Sequence, residues 1–325
     1  MTHSLTGLAM ARAGLNRICP HASWILVLAA NVPDFDAVVA AGGSLSYLTY
    51  HRHLTHAWIA LPLLAFVPVL LVRLFSRQPL RWGPAWLISC AGIASHLMLD
   101  FTNVYGIRLL LPFSATWYRA DITPVIDPWI WAVFLLSVAA PALARLVNSE
   151  IGASPRIHPG RGFAIFALSF LLLYNGARAV LHERAVATLD AHSYQGGTPL
   201  RVAAFPDVVN PLRWRGVVEG DTFYSIHPVD LLREFDPSAG VVFRKAEMGP
   251  AVAAAAKSKV FRRFAEFAQF PIWSVTPLSG GASKVELLDL RFGTPRDPGF
   301  AATAVVDREQ RVLEPEFHFG RAAPR

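Results

Sequence analysis

Charge is scarce in this chain. Only 16% of its 325 residues are Asp, Glu, Lys or Arg and 53% are hydrophobic, against roughly 25% charged in an average soluble protein, which argues against a wholly water-soluble molecule. Residues 1–182 contain no lysine, 12 arginines and 6 acids, whereas 183–325 hold 14 arginines, 4 lysines and 17 acids. The two stretches are built for different solvents. The net charge of +7 comes mostly from sparse arginines in the apolar part rather than from a clustered basic face, which argues against nucleic acid as a partner. Cysteine is nearly absent: Cys19 and Cys90 provide neither a disulfide framework nor C-x-x-C metal spacing, and read as buried free thiols. No G-x-S-x-G sequence occurs and neither cysteine has a base beside it in sequence, so a serine or cysteine nucleophile has no support. Internal repeats and low-complexity tracts are also missing. Residues 1–11 lack the basic start and long apolar core of a cleavable signal peptide, and insertion is expected to rely on apolar spans.

Such spans are present. A hydrocarbon core of about 30 Å needs about 20 mostly apolar residues as helix, and four stretches qualify: 56–72, 82–99, 124–144 and 163–181. A fifth apolar run, 22–41, is interrupted by Asn31, Pro33, Asp34 and Asp36 and reads as two short helical pieces folded back at a polar break. Arg73, Arg77 and Arg81 lie between the first two spans, and Arg145, Arg156 and Arg161 between the last two. The positive-inside rule places these loops in the cytoplasm, and residues 1–55, 100–123 and the C-terminal part on the outer face. Beyond Leu181 the pattern becomes water-soluble, with strand-like stretches at 214–219, 222–226, 284–292, 301–306 and 311–319, and a helical stretch at about 250–268. Alternation in KVELLDLRF suits a strand with one buried face. The expected fold is mostly α: a polytopic helical membrane domain over 1–182, with about four transmembrane helices plus the broken N-terminal helices, followed by a small soluble α+β domain over 183–325.

Five of the six acids in the apolar half, Asp34, Asp36, Asp100, Asp121 and Asp127, fall outside ordinary solvated loops; only Glu150 sits in one. Ionisable groups at membrane depth are costly and are usually functional or paired. Histidines accompany them: His3, then His51, His53 and His56 in HRHLTH, then His96 in HLMLD. His96 and Asp100 are four apart and share a helix face. His51 and His56 open the first span while His96 and Asp100 close the second, so an antiparallel helix pair brings all four to one membrane face, within reach of Asp34 and Asp36. Imidazole and carboxylate together suit Zn, with Mn or Fe as alternatives. Asp34 and Asp36 could instead form only a turn and helix cap after Pro33, and His96 with Asp100 only a hydrogen-bonded pair. His21, His158, His182, His192, His227 and His318 lack such company and read as structural or exposed.

These residues resemble a family. THSLTG (2–7), NVPDFD (31–36), HRHLTH (51–56), HLMLDFTNVYG (96–106), LLLPFSATWY (109–118) and the pair Asp127-Pro128 are similar to the bacterial inner-membrane metal-dependent hydrolases, the YdjM-like or LexA-binding group. The resemblance covers about residues 1–180, and FPDVVNPLRWRGVVEG (205–220) looks like the extra domain of longer members. It implies an inner-membrane hydrolase with one or two divalent ions. On that reading His3, Asp34, His51, His56, His96 and Asp100 are metal ligands, Asp36 is a ligand, base or supporting carboxylate, and Arg52 faces an anionic group in the transition state. Asn103, Tyr105, Ser114, Trp117, Tyr118, Asp121 and Asp127 would shape the mouth or support the ligands. A site at headgroup level favours membrane lipids, lipid-linked molecules or phosphoesters as substrate. The rival class is a non-catalytic membrane protein, either a metal or proton transporter or a scaffold. A transporter usually carries mid-membrane polar groups and an internal repeat, and here the polar groups sit at span ends.

Overall fold

The computed structural model describes residues 1–76, 78–150 and 160–320. In chain order the elements are α1 (Thr2–Ala13), α2 (Ala22–Ala29), a 3-10 segment (Val32–Gly42), α3 (Ser44–Tyr50), 3-10 turns at Leu54–His56 and Trp58–Ala60, α4 (Leu61–Leu64), α5 (Phe66–Phe75), α6 (Trp82–Thr102), α7 (Pro128–Glu150) and α8 (Arg161–Asp190). They are followed by β1 (Arg201–Pro206), β2 (Arg213–Glu219), β3 (Phe223–Asp230), β4 (Val241–Arg244), α9 (Pro250–Ala256), α10 (Lys259–Phe267), β5 (Pro271–Pro277), β6 (Ser283–Asp289), β7 (Phe300–Val306) and β8 (Val312–Phe319). Two compact units emerge: Met1–Asp36 with Arg52–Glu183 and Pro206–Leu212, and Ala37–His51 with Arg184–Phe205 and the chain from Arg213 onward. The boundary read at 182/183 lies one residue from the division at Glu183/Arg184, and both fall inside α8, which continues to Asp190; two short segments, Ala37–His51 and Pro206–Leu212, belong to units apart from their sequence neighbours.

The stretches Trp58–Phe75, Trp82–Thr102 and Pro128–Glu150 of the first unit, and Arg161–Asp190, which begins in it, are long and apolar enough to cross a membrane. The pieces Ala22–Ala29 and Val32–Gly42 are bent by 40° at their break; the run 22–41 is two pieces parted at the polar residues, and the bend between them is a kink rather than a reversal of the chain. Span one is segmented where its prolines dictate. Pro62 opens α4 and Pro68 lies in the first turn of α5, where a missing N–H leaves no intrahelical bond unmade. Arg77 and Arg156 of the basic loops, and His158, lie outside the described residues.

Glycines let α1, α2 and α6 approach closely. A Cβ on Gly7 would sit 2.7 Å from the Leu26 carbonyl oxygen, and one on Gly92 would sit 2.7 Å from Ala29 Cβ. Around this contact Ile25, Leu26, Val69, Ala85 and Ile88 form a buried apolar cluster, while Ala29, Val32, Ile93, Leu97 and Ile107 form another. The Trp131 indole N–H donates to Thr2 Oγ1 at 2.7 Å, tying α7 to α1. Asp127 caps α7, accepting from the backbone N–H groups of Trp129 and Ile130 at 2.9 and 3.1 Å, with Pro128 at the first helical position.

The second unit holds two four-stranded sheets, ordered β1-β2-β3-β4 and β5-β6-β7-β8. The latter is antiparallel throughout, with Ile272 opposite Leu288 and Val285 opposite Ala304. The expected helical stretch 250–268 is two helices, parted at Lys257 and Ser258. Ser258 caps α10 by accepting from the Phe261 N–H. Val260, Phe261, Phe264 and Phe267 are buried at helical spacing, and Phe264 and Phe267 join Phe292, Phe300 and Phe317 in a ring cluster. Sequence reading located β2, β3, β6, β7 and β8 but not β1, β4 or β5.

Candidate metal centre

Ile88, Gly92, His96 and Asp100 are buried at four-residue intervals on α6, so the ridge that presses Gly92 onto α2 also carries His96 and Asp100. The close contact has a direct chemical consequence. At the end of α2 the carbonyl of Ala30 lies 2.8 Å from His96 Nδ1, and since a carbonyl only accepts, Nδ1 carries the proton and Nε2 presents a lone pair. Just beyond, the break is braced by Asn31, whose side-chain amide donates to the Val27 carbonyl at 2.6 Å and accepts from Ser4 Oγ at 3.0 Å. The 3-10 segment that follows supplies Asp34 and Asp36.

His56 comes from the 3-10 turn Leu54–His56. Its Nδ1 faces Asp36 Oδ2 at 3.3 Å and Thr55 Oγ1 at 3.0 Å, and the Thr55 hydroxyl donates to the same Asp36 oxygen. The carboxylate draws the proton to Nδ1, and His56 Nε2 is left to face inward. Second partners of this kind orient metal-binding histidines and raise their basicity.

Four acceptors then converge. Asp34, His56, His96 and Asp100 offer one atom each, all within 4.8 Å of one another. His56 Nε2 and His96 Nε2 are 3.1 Å apart. Asp100 Oδ2 lies 3.3 and 3.4 Å from them, and Asp34 Oδ1 lies 3.6 Å from both. A tetrahedral ion with 2.0–2.1 Å bonds has ligand-to-ligand edges of about 3.3–3.4 Å. The donor set and its spacing fit a divalent ion, which would relieve the repulsion of two lone pairs and two carboxylates facing one point. His56, His96 and Asp100 are fully buried there, whereas the Asp34 side chain is 37% exposed, so the nest is reached from the Asp34 side.

The other expected residues take different places. His3 stacks on His96 with ring centroids 3.8 Å apart, and its Nε2 is 3.5 Å from Asp100 Oδ1. Burial holds its pKa below the ordinary histidine value, against the pull of Asp100. Arg52 is left-handed, with φ 57°, which costs about 1–3 kcal/mol and is offset by its contacts. Its N–H donates to Asp36 Oδ2 at 3.0 Å. Its guanidinium donates to Asp100 Oδ1 at 2.8 Å, the Gly106 carbonyl at 3.1 Å and Asn103 Oδ1 at 3.2 Å, and packs over the Tyr105 ring. Arg52 is thus placed against Asp100 and braces its carboxylate. The turn at Arg52 sends adjacent side chains different ways, and His51 belongs to the other unit, stacked on Tyr47 at 4.4 Å; it is not among the four convergent donors. Asp36 holds His56 rather than joining the four. Asn103 also donates to Asp100 at 3.3 Å. Asp127 is a helix cap that also accepts from the Tyr174 hydroxyl, and the half-buried Ser114 donates to the Thr116 hydroxyl. Sequence reading missed Thr55 and the Ala30 carbonyl. The first is visible only as the neighbour of His56, and a backbone carbonyl leaves no mark in a sequence.

Neither a curated protein nor a solved structure matches the chain. Residues 250–320 match the family model of the YfhP C-terminal alpha/beta plait domain, which takes in α9, α10 and β5 to β8. Residues 1–185, more than half the chain and the whole of the His/Asp nest, match the model of the YdjM inner membrane protein family, and the chain belongs to that family.

Proposed function

We propose that the protein is a multi-pass membrane hydrolase that uses one divalent metal centre, with Zn the best fit, to cleave a phosphoester or lipid-linked substrate at the membrane surface. The observation that carries this reading is the nest of three buried donors, His56, His96 and Asp100, bounded on its fourth side by the part-exposed Asp34, where water would reach a bound ion at the open position a catalytic site keeps. A divalent ion held there would polarise the bond to be cleaved and acidify a water molecule, which removes the need for a side-chain nucleophile. His56 and His96 supply neutral nitrogens, each fixed by a partner on Nδ1. Asp100 supplies a charged oxygen whose carboxylate is held by Arg52 and Asn103. Asp34, at the open side, is placed to accept a proton from water as well as to bind. The basic loops favour an orientation in which Arg73 and Arg81 face the cytoplasm and the C-terminal half lies outside.

The test is metal analysis of the detergent-purified full chain, followed by assay against phosphomonoester and phosphodiester lipids. Stoichiometric metal with turnover that Asp34→Asn removes is the expected result. A chain that binds no divalent ion in excess metal, or binds it without hydrolysing any of these esters, overturns the proposal.

A further inference from the structure

We infer that this centre holds a single divalent ion, because Arg52 is a built-in cation standing where a second ion would have to bind. The inference rests on the metal reading above. Hydrolases with two metals place the ions about 3.5–4 Å apart, a separation spanned by one carboxylate that gives an oxygen to each. Asp100 is the carboxylate positioned to do this, since its Oδ2 faces His56 and His96 while its Oδ1 points away from them. The far side of Asp100 is a nest of acceptors: Asp100 Oδ1, Asn103 Oδ1 and the Gly106 carbonyl, with His3 Nε2 close by. Three oxygens and an imidazole suit a hard or borderline divalent ion. The Arg52 guanidinium fills that nest instead, donating to all three oxygens.

The arrangement is fixed from several directions. Asn103 Oδ1 also accepts from the N–H groups of Tyr105 and Gly106 at 2.9 and 3.3 Å, while its amide donates to Asp100, so its oxygen is committed to the Arg52 side. Arg52 is 7% exposed, its backbone is anchored on Asp36, and a guanidinium does not lose its proton in a protein. A second divalent ion would have to expel this charge or sit against it. Asp36, the other nearby carboxylate, offers no alternative bridge, because its Oδ2 already receives the Arg52 N–H, the Thr55 hydroxyl and the His56 ring.

Equilibrium dialysis of the purified full chain against Mn2+, with metal counted by mass spectrometry and spin coupling read by electron paramagnetic resonance, tests the inference. The wild type is expected to saturate at one ion per chain with the spectrum of an isolated ion, and Arg52→Lys, which keeps the charge, to do the same. Arg52→Ala vacates the oxygen nest and is expected to saturate at two ions with a spin-coupled spectrum. A wild type that saturates at two coupled ions overturns the inference and leaves the proposed function standing. A wild type that binds none removes the proposed function and the inference with it. An Arg52→Ala protein that folds and still saturates at one overturns the role given to Arg52, and the wild-type and Arg52→Lys counts decide the stoichiometry if the alanine variant does not fold.

Discussion

His56 and His96 differ from His192 and His227 in where their Nε2 atoms are aimed. His192 spends Nδ1 on the Thr188 carbonyl of its own helix, and His227 Nε2 pairs with Ser225; neither faces a carboxylate pair. Asp36→Asn is therefore expected to weaken metal binding by about 10–100-fold, the usual effect of losing such a partner, while the number of ions bound stays the same in a calorimetric titration. Asp100→Asn has a harsher expected outcome. The amide keeps the shape but loses the charge that holds a divalent ion, so metal content should fall to background with the protein still folded and inserted. Were Asp100 only a hydrogen-bonded partner, the change would cost about 1–3 kcal/mol and spare the metal. In the other unit Glu219 accepts from Lys245 at 2.8 Å, Arg201 at 3.0 Å and Tyr224 at 3.1 Å. Burial pushes its pKa up, but the two cations outweigh that and hold it below the ordinary glutamate value. Its stabilising contribution is then fully present above the unfolded-state pKa of about 4.3 and lost as the pH falls through the lower folded-state value. Hydrogen-exchange protection of β2 and β3 should drop over that acidic window in the wild type, and a Glu219→Gln protein should show a flatter profile.

At the scale of elements, the nest depends on how closely α2 lies on α6. Gly92 precedes His96 by one turn and faces Ala29, next to the carbonyl that fixes the His96 tautomer. Gly92→Val is expected to push the helices apart, to cost about 1–3 kcal/mol as overpacking, and to weaken metal binding although no ligand is changed. A Cβ added at Gly83, on the same helix, meets no atom within 4 Å, and Gly83→Val serves as the control. Unchanged metal affinity in the Gly92 variant, measured alongside its melting temperature, would show that the nest does not rely on this contact. Periodicity made α6 legible and placed His96 with Asp100, because a helix of that length has one buried stripe. The 3-10 turns were not legible in the same way: Leu54–His56 is too short to carry a period, so the position of His56 relative to Asp36 had to come from the fold.

For the whole molecule, the uneven arginine distribution makes a prediction about orientation. In a protein whose Cys19 and Cys90 are replaced by alanine, a cysteine at Ser76, next to Arg73 and close to Arg81, should react with an impermeant maleimide only after the membrane is opened. One at Ser238, in the C-terminal half, should react in intact cells. Labelling of position 76 from outside would reverse the proposed orientation. The division between the two compact units at Glu183/Arg184 falls inside α8, one residue from the boundary drawn from composition, and what composition does not show is the exchange of two short segments. Composition reports the solvent around each residue, whereas units are defined by which residues pack together, and Ala37–His51 and Pro206–Leu212 pack away from their neighbours in sequence.

The amino-acid sequence by itself determined the four long apolar helices, the broken N-terminal pair, the soluble strand-bearing half and the pool of His and Asp residues from which a centre could be drawn. These follow from local properties: hydropathy summed over a span, helical and strand periods, and the cost of charge in an apolar stretch. Tertiary structure decided which members of the pool meet. His51 and Arg52 are adjacent in sequence, yet a left-handed residue turns one toward Tyr47 and the other onto Asp100. The proton on His96 is placed by a carbonyl 66 residues away, and the one on His56 by Asp36, 20 residues earlier. Convergence of this kind depends on close helix contact and on single backbone angles. Neither leaves a periodic or compositional signal, because each arises only when separate elements are packed together.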